Sequence, residues 1–146
     1  MANDDLLRQV ADELEIRNVI ARLAQLADSG DLDEYGSLYT EDAHWELLSN
    51  PGDPSAIAPR RGRADIIAGG RERRASGGQG PGSHTRHVLS TSAVRVSGDT
   101  AVATSYLTFY KNTDTQPEIM IMTSYADQLK RTREGWKVAS RIMTKA

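Results

Sequence analysis

Three histidines, His44, His84 and His87, are the side chains of this sequence whose ordinary charge change lies nearest neutral pH. His84 and His87 stand three apart in a run rich in β-branched residues, so strand alternation sends them to opposite faces. Thr85, His87 and Leu89 then share one face, and His84, Arg86 and Val88 the other. The polar character of His84 and Arg86 marks theirs as the outer face. His87 is therefore the candidate base of a pocket, or else a histidine bonded into a wall. His44 precedes Trp45, and the same alternation turns Trp45 inward. Asp28 ends an amphipathic segment, where the helix dipole disfavours a negative charge by some tenths of a kcal/mol. It lies on the flank of the apolar stripe beside Ala24. Asp28 is either an ordinary polar helix end or a carboxylate turned inward by the corner at Ser29-Gly30.

Other chemistries lack their residues. Cysteine is absent, which excludes disulfides, thiolate nucleophiles and sulfur metal sites and is compatible with a reducing cytoplasm. No His-x-Glu-x-x-His ligand set occurs, and no metal is expected. The nucleophile elbow, the phosphate-cradling glycine loop and the dinucleotide fingerprint are missing too, so nucleotide binding is not expected. A net charge of -2 and a pI near 5.9 do not suit a nucleic-acid binder. One basic cluster, Arg60, Arg61, Arg63, Arg71, Arg73 and Arg74, is either a solvated helix face or subunit contact, or a mouth for anionic substrates. No apolar run approaches the roughly 20 residues that span a bilayer. The acidic start, Met1-Ala2-Asn3-Asp4-Asp5, is unlike a signal peptide, so a cytoplasmic location is expected.

The elements that must position these groups read as one α+β domain over 1–146. From about Asp5 to Ala27, Ile16, Val19, Ile20, Leu23 and Ala27 recur at helical spacing. Asp31, with Glu34 three residues on, begins a short second helix to about Tyr39. Ala43–Leu48 alternates as a strand, Asn50–Pro54 breaks it, and a loop runs to about Arg61. Ala64–Arg74 is a third helix. Ser76–Gly82 is too glycine-rich for regular structure and is a lid or a linker. Long strands follow over His84–Val96, Thr100–Lys111, Glu118–Thr132 and Trp136–Thr144. Turn-like Ser97-Gly98-Asp99 and Arg133-Glu134-Gly135 pair neighbours antiparallel. Helices before a meander of strands put the helices on one face of a curved sheet.

Several segments together resemble the SnoaL-like branch of the NTF2-like superfamily. They are Ile16-Arg17, Leu23 to Asp28, Tyr39-Thr40-Glu41-Asp42-Ala43-His44-Trp45, Arg86-His87 and Gly135-Trp136-Lys137, and they cover almost the whole chain in order. The pattern is similar to that of scytalone dehydratases and hexachlorocyclohexane dehydrochlorinases, which eliminate without a cofactor. The resemblance implies a cone: a curved, mostly antiparallel sheet with three N-terminal helices on its concave face around a pocket. It also implies that Asp28 is the dyad aspartate, His87 the general base and Arg141 a pocket arginine, with Trp45 and Tyr125 as aromatic walls. Leu23 replaces the dehydrochlorinase lysine, and the second histidine of scytalone dehydratase has no counterpart. In such a pair Asp28 fixes the imidazole tautomer while His87 takes a proton, and Arg141, Tyr125 or Tyr106 stabilises developing negative charge. Thr85, Leu89, Phe109, Ile121 and Leu47 complete the expected lining.

The expected activity is a cofactor-independent lyase that removes water, halide or a small carbonyl fragment from a small neutral or phenolic, aromatic or alicyclic molecule. The same dyad equally suits an isomerase or cyclase, and the same fold suits a non-catalytic binding or assembly module, including a small subunit beside a ring-hydroxylating oxygenase. A homodimer or homotrimer is expected, with no nucleic-acid or membrane partner.

Overall fold

A computed structural model describes residues 2–145; Met1 and Ala146, the ends of the expected 1–146 domain, lie outside the described residues. The chain runs α1 (Ala2–Ser29), α2 (Leu32–Ser37), β1 (Tyr39–Leu48), β2 (Arg60–Arg61), α3 (Arg63–Ala75), β3 (Arg86–Ser97), β4 (Thr100–Lys111), β5 (Glu118–Thr132) and β6 (Gly135–Lys145). The strands form a six-stranded sheet in the order β2-β1-β6-β5-β4-β3. Among the described residues only β1 and β6 pair parallel; the other neighbours are antiparallel. The sheet is curved and unclosed, and the helices make this an α+β fold. Among the described residues no helix is long and apolar enough to cross a membrane.

The long helix forms where the sequence repeats apolar side chains every three or four residues. Ile16, Ile20, Leu23 and Leu26 on that stripe are almost wholly buried. Each such side chain contributes about 1.5–3 kcal/mol of burial. Gly30 allows the sharp corner after α1, because a Cβ there would collide with Leu26. Asp31 caps α2 by accepting from the backbone N–H groups of Asp33 and Glu34. Glu34 does not close a capping box; it pairs instead with Arg22 at 3.1 Å.

The first three strands depart from the sequence reading. β1 starts at Tyr39 rather than Ala43, and a register irregularity between Tyr39 and His44 accommodates the polar Thr40-Glu41-Asp42. The loop expected up to Arg61 ends in the two-residue β2, which pairs with His44 and Trp45. β3 starts at Arg86, since His84 adopts a left-handed φ of 54° that departs from regular extended backbone.

Register stacks the inward side chains in rungs across the concave face. Tyr39, Val138, Leu129 and Ala101 make one, and Trp45, Arg141, Asp127 and Ala103 the next. Leu47, Met143, Tyr125 and Ser105 follow, then Thr123, Leu107 and Leu89, and last Ile121, Phe109 and His87. A bulge in β3 around Thr91, whose φ is 52°, switches the inward residues from His87 and Leu89 to Ser92, Val94 and Val96. The carbonyl of Ser92 at this bulge accepts from Arg17 of α1 at 3.0 Å. The bulge thus bends the strand toward the helix while its backbone oxygen stays satisfied.

Candidate active site

Asp28 ends α1 at the point where β3 begins. Its carboxylate accepts from the backbone N–H of His87 at 3.1 and 3.2 Å, and Oδ1 lies 2.6 Å from His87 Nδ1. Arg86 approaches the other carboxylate oxygen from the solvent side at 3.6 Å. The repulsion that a helix C-terminus imposes on an anion is therefore offset on two sides. Arg74 adds to this by donating to the carbonyls of Leu26, Ala27 and Gly30 at the end of α1. Because a carboxylate only accepts, the 2.6 Å contact puts a proton on Nδ1 and leaves the lone pair on Nε2. Among the described residues Nε2 has no hydrogen-bond partner. Phe109 packs on the imidazole with centroids 4.5 Å apart.

His87 borders a cavity in two compartments beneath the helices. The inner one, about 40 Å³, is framed by Leu23, Ala24, Ala27, Tyr35 and Leu89. The outer, about 110 Å³, is framed by Leu47, Ile57, Leu107, Phe109, Ile121, Thr123 and Met143. Trp45, Arg73, Gln79, His87 and Tyr125 line both. A more open cleft of about 490 Å³ lies at the far end, near Asp12, Asp99 and Arg131. There Arg131 is spent on both aspartates and the Gly98 carbonyl, and no histidine lines the cleft.

Tyr125 is buried, and its hydroxyl has no partner among the described residues. Burial pushes the phenol well above its ordinary range, with Arg141 opposing, so it remains a neutral donor. Tyr35 and Tyr39 share a hydroxyl contact of 3.2 Å, and burial likewise pushes Tyr39 up. Arg141 lines the inner compartment, stacks 4.4 Å from the Tyr125 ring and is gripped by Asp127 at 2.8 and 2.9 Å. Burial works against its charge, and the adjoining Asp127 carboxylate, with Tyr39 and Tyr125, more than restores it.

The expected residues do not all converge. Asp28, His87, Arg141, Trp45, Tyr125, Leu89, Phe109 and Ile121 are at the cavity or its dyad. Tyr106 is not: it is 54% exposed and projects from the opposite face of β4, because Ala101, Ala103, Ser105 and Leu107 hold the inward parity. Thr85 is also displaced, since it precedes β3 and spends its hydroxyl on Ser83 at 2.7 Å. Arg141 is not a free cation, for Asp127 neutralises it.

Cavity residues not singled out from sequence as lining include Arg73, Gln79 and Thr123. Arg73 falls on the buried stripe of α3 with Ile66, Gly69 and Gly70, and this helical spacing was the available signal. The rest of the basic cluster is largely structural: Arg60 pairs with Asp65 and Glu72, Arg63 bonds the Tyr39 carbonyl, Arg71 meets Asp33, and Arg74 caps α1. Gln79 is buried although it sits in the glycine-rich Ser76–Gly82 loop, where composition gave no cue. That loop is folded against α3, with Gly80 at φ 88° giving room for the Arg74 stem. Among the described residues no group of three or more His, Cys, Asp or Glu is arranged to hold a metal ion.

A curved α+β sheet with an aspartate-oriented histidine beneath its helices defines an NTF2-like domain of cystatin-like fold. The SnoaL-like domain family matches residues 8–142, and the chain belongs to that family. A solved NTF2-like protein with a cystatin-like fold from Novosphingobium aromaticivorans is similar over 97% of this chain and 86% of its own, with 28% identity and a TM-score of 0.80. A second protein of that organism, described as a candidate aromatic ring hydroxylase, is 27% identical over 93% of this chain and 90% of its own, with a TM-score of 0.74. A candidate dehydratase of the NTF2-like family from Streptomyces avermitilis aligns over 94% and 98% with a TM-score of 0.71; at 17% identity it shares the fold alone. No curated protein matches the sequence.

Proposed function

We propose that this chain is a cofactor-independent lyase, eliminating water, halide or a small carbonyl fragment from a small aromatic or alicyclic molecule. The carrying observation is the 2.6 Å approach of Asp28 to His87 Nδ1 with Nε2 unspent beside the cavity. Asp28 holds the tautomer and offsets the charge of the imidazolium that forms when Nε2 takes a proton from substrate carbon or hydroxyl. The electron pair left behind expels the leaving group. Tyr125, a neutral phenol with an unspent hydroxyl, donates to the oxygen where negative charge develops, and Arg141 supports it from the adjacent rung. The apolar lining lowers the local dielectric and strengthens each of these contacts.

The same reading treats the chain as one catalytic domain working in the cytoplasm as a homodimer or homotrimer. A mass-spectrometric screen of phenolic and alicyclic compounds, with His87→Ala as the blank, tests the reaction. Loss of water, halide or a carbonyl fragment supports the lyase. Unchanged mass with deuterium taken up from solvent makes it an isomerase or cyclase using the same base. Turnover by His87→Ala at the wild-type rate would sink both.

A further inference from the structure

The charges around the cavity are unevenly balanced. Asp127 and Arg141 cancel within hydrogen-bond distance, and Asp28 is met by His87 and Arg86. Arg73 has no carboxylate partner among the described residues. Its Nε donates to a neutral amide, Gln79 Oε1 at 3.3 Å, and its guanidinium lies 4.8 Å over the Trp45 ring. Gly69, one turn earlier, leaves the space this requires, because a Cβ there would stand 3.1 Å from Arg73 Nη1. A half-buried cation held over an aromatic face and lining both compartments is short of a counter-charge.

A second vacancy in bonding lies in the same outer compartment. Thr123 is 4% exposed, and its buried hydroxyl has no partner among the described residues. An unsatisfied buried polar group is destabilising, and a ligand that bonds it recovers that loss. Much of the remaining wall is apolar, with Leu107, Phe109, Ile121 and Met143. A bowl with one uncompensated cation, the unbonded hydroxyls of Thr123 and Tyr125 and apolar walls is matched to a ring-bodied organic molecule carrying one anionic oxygen.

We infer that Arg73 sets the specificity of the site by pairing with an anionic oxygen, a carboxylate or a phenolate, on a ring-bodied substrate, while Thr123 takes a second polar contact. This deepens the lyase reading and rests on it for the claim that the bound molecule is the substrate. It also narrows the expectation of a neutral or phenolic substrate to one that binds as an anion. Because Arg73 and His87 border both compartments, the anion would be held beside the base. Charge delocalised toward that oxygen after proton removal would be met by a cation already in place.

Binding of non-reacting ligands tests this apart from turnover. Benzoate and benzamide share a ring and differ in charge; 4-nitrophenolate adds the phenolate arm, and its absorbance shows whether it binds ionised. Calorimetry on the full chain at neutral pH should give a preference for benzoate or 4-nitrophenolate over benzamide of about tenfold or more. Which anion is preferred separates carboxylate from phenolate. Arg73→Gln, and independently Arg73→Met, should remove the preference while leaving benzamide unchanged. Arg73→Lys should retain part of it, and the surface control Arg71→Gln all of it. Thr123→Val should weaken anionic and neutral ligands alike by several-fold. Equal binding of anion and amide, no binding of any probe at low millimolar concentration, or a preference that survives both Arg73 variants would overturn the inference. His87→Ala should keep the anion preference, so a failed acid/base reading and a failed anion site give different results.

Discussion

Two acid–base pairs face the concave side of the sheet, and their geometry separates a working group from a structural one. Asp127 and Arg141 sit opposite each other on β5 and β6, with side chains 0% and 5% exposed, joined by parallel hydrogen bonds. Each uses its charge on the other, and the pair holds the Tyr125 ring from behind. Asp28 and His87 are comparably sheltered, at 8% and 14%, but come from a helix end and a strand start. Their contact consumes one ring nitrogen and leaves the second over the cavity. A bidentate arginine–carboxylate pair is a closed unit, whereas a carboxylate–imidazole pair keeps a site for a proton.

The largest expected effect breaks the open pair. Asp28→Asn keeps one oxygen for the His87 backbone N–H but turns its NH₂ toward Nδ1, forcing the proton onto Nε2 and removing the base. Turnover should fall on the order of a thousandfold or more while thermal unfolding changes little. Steady-state kinetics and a melting curve on the same sample check both halves. A near wild-type rate would show that His87 is not oriented by this carboxylate.

Breaking the closed pair should do the reverse. Asp127→Ala strands a buried guanidinium and should cost about 3–5 kcal/mol, read by denaturant unfolding. The double variant Asp127→Leu with Arg141→Met removes both charges and should recover most of that loss. If Asp127→Ala were as stable as wild type, the contrast between the two pairs would collapse.

A third aspartate sharpens the comparison through pH. Asp12 accepts from Arg131 at 2.7 and 2.8 Å and from the Trp136 indole at 3.0 Å. The Arg131 hydrogen bonds, against the opposing pull of burial and with help from Trp136, lower its pKa from 3.8 to about 2. A folded-state pKa below the unfolded one contributes stability that is complete above the ordinary value and disappears as pH falls to the lowered one. Asp12→Asn should thus be less stable than wild type near neutrality by about 2 kcal/mol. That gap should narrow as acid carries the protein from pH 3.8 to about 2. A gap constant across this window would mean that Asp12 acts by packing rather than charge.

Much of this arrangement was legible one residue at a time. The three-and-four spacing of Ile16, Ile20 and Leu23 marked the buried face of α1, and parity put His87 on one face with Leu89, although His84 stands before the strand in a left-handed turn. What spacing could not supply was the partner across the sheet. Asp127 and Arg141 become a pair only through the β5–β6 register, so the sequence offered Arg141 as a pocket arginine without its partner. Arg73 was obscured because five neighbouring arginines share its segment and most of them bind carboxylates or carbonyls at the surface. Gln79 depends on how a glycine-rich loop folds back, which no periodicity encodes. Thr85 was assigned to a strand that starts one residue later, after the left-handed turn at His84.

Tyr106 gives the smallest expected effect and tests the same face logic. Phe109 and Tyr106 stand three apart on β4, so strand alternation sends them to opposite faces. β4 carries Val102, Thr104 and Thr108 on its outer face, and these β-branched residues hide the difference in hydrophobicity that would normally reveal the buried side. Tyr106→Ser should change turnover by less than about twofold and stability by no more than about 0.5 kcal/mol, as befits an exposed position. Phe109→Ala, which strips the ring packed on His87, should exceed it on both measures. Were Tyr106→Ser to lose activity at unchanged stability, the outer face would belong to the working site. A loss that deepened on dilution would tie that face to association between copies of the chain, and through association to the geometry of the open pair.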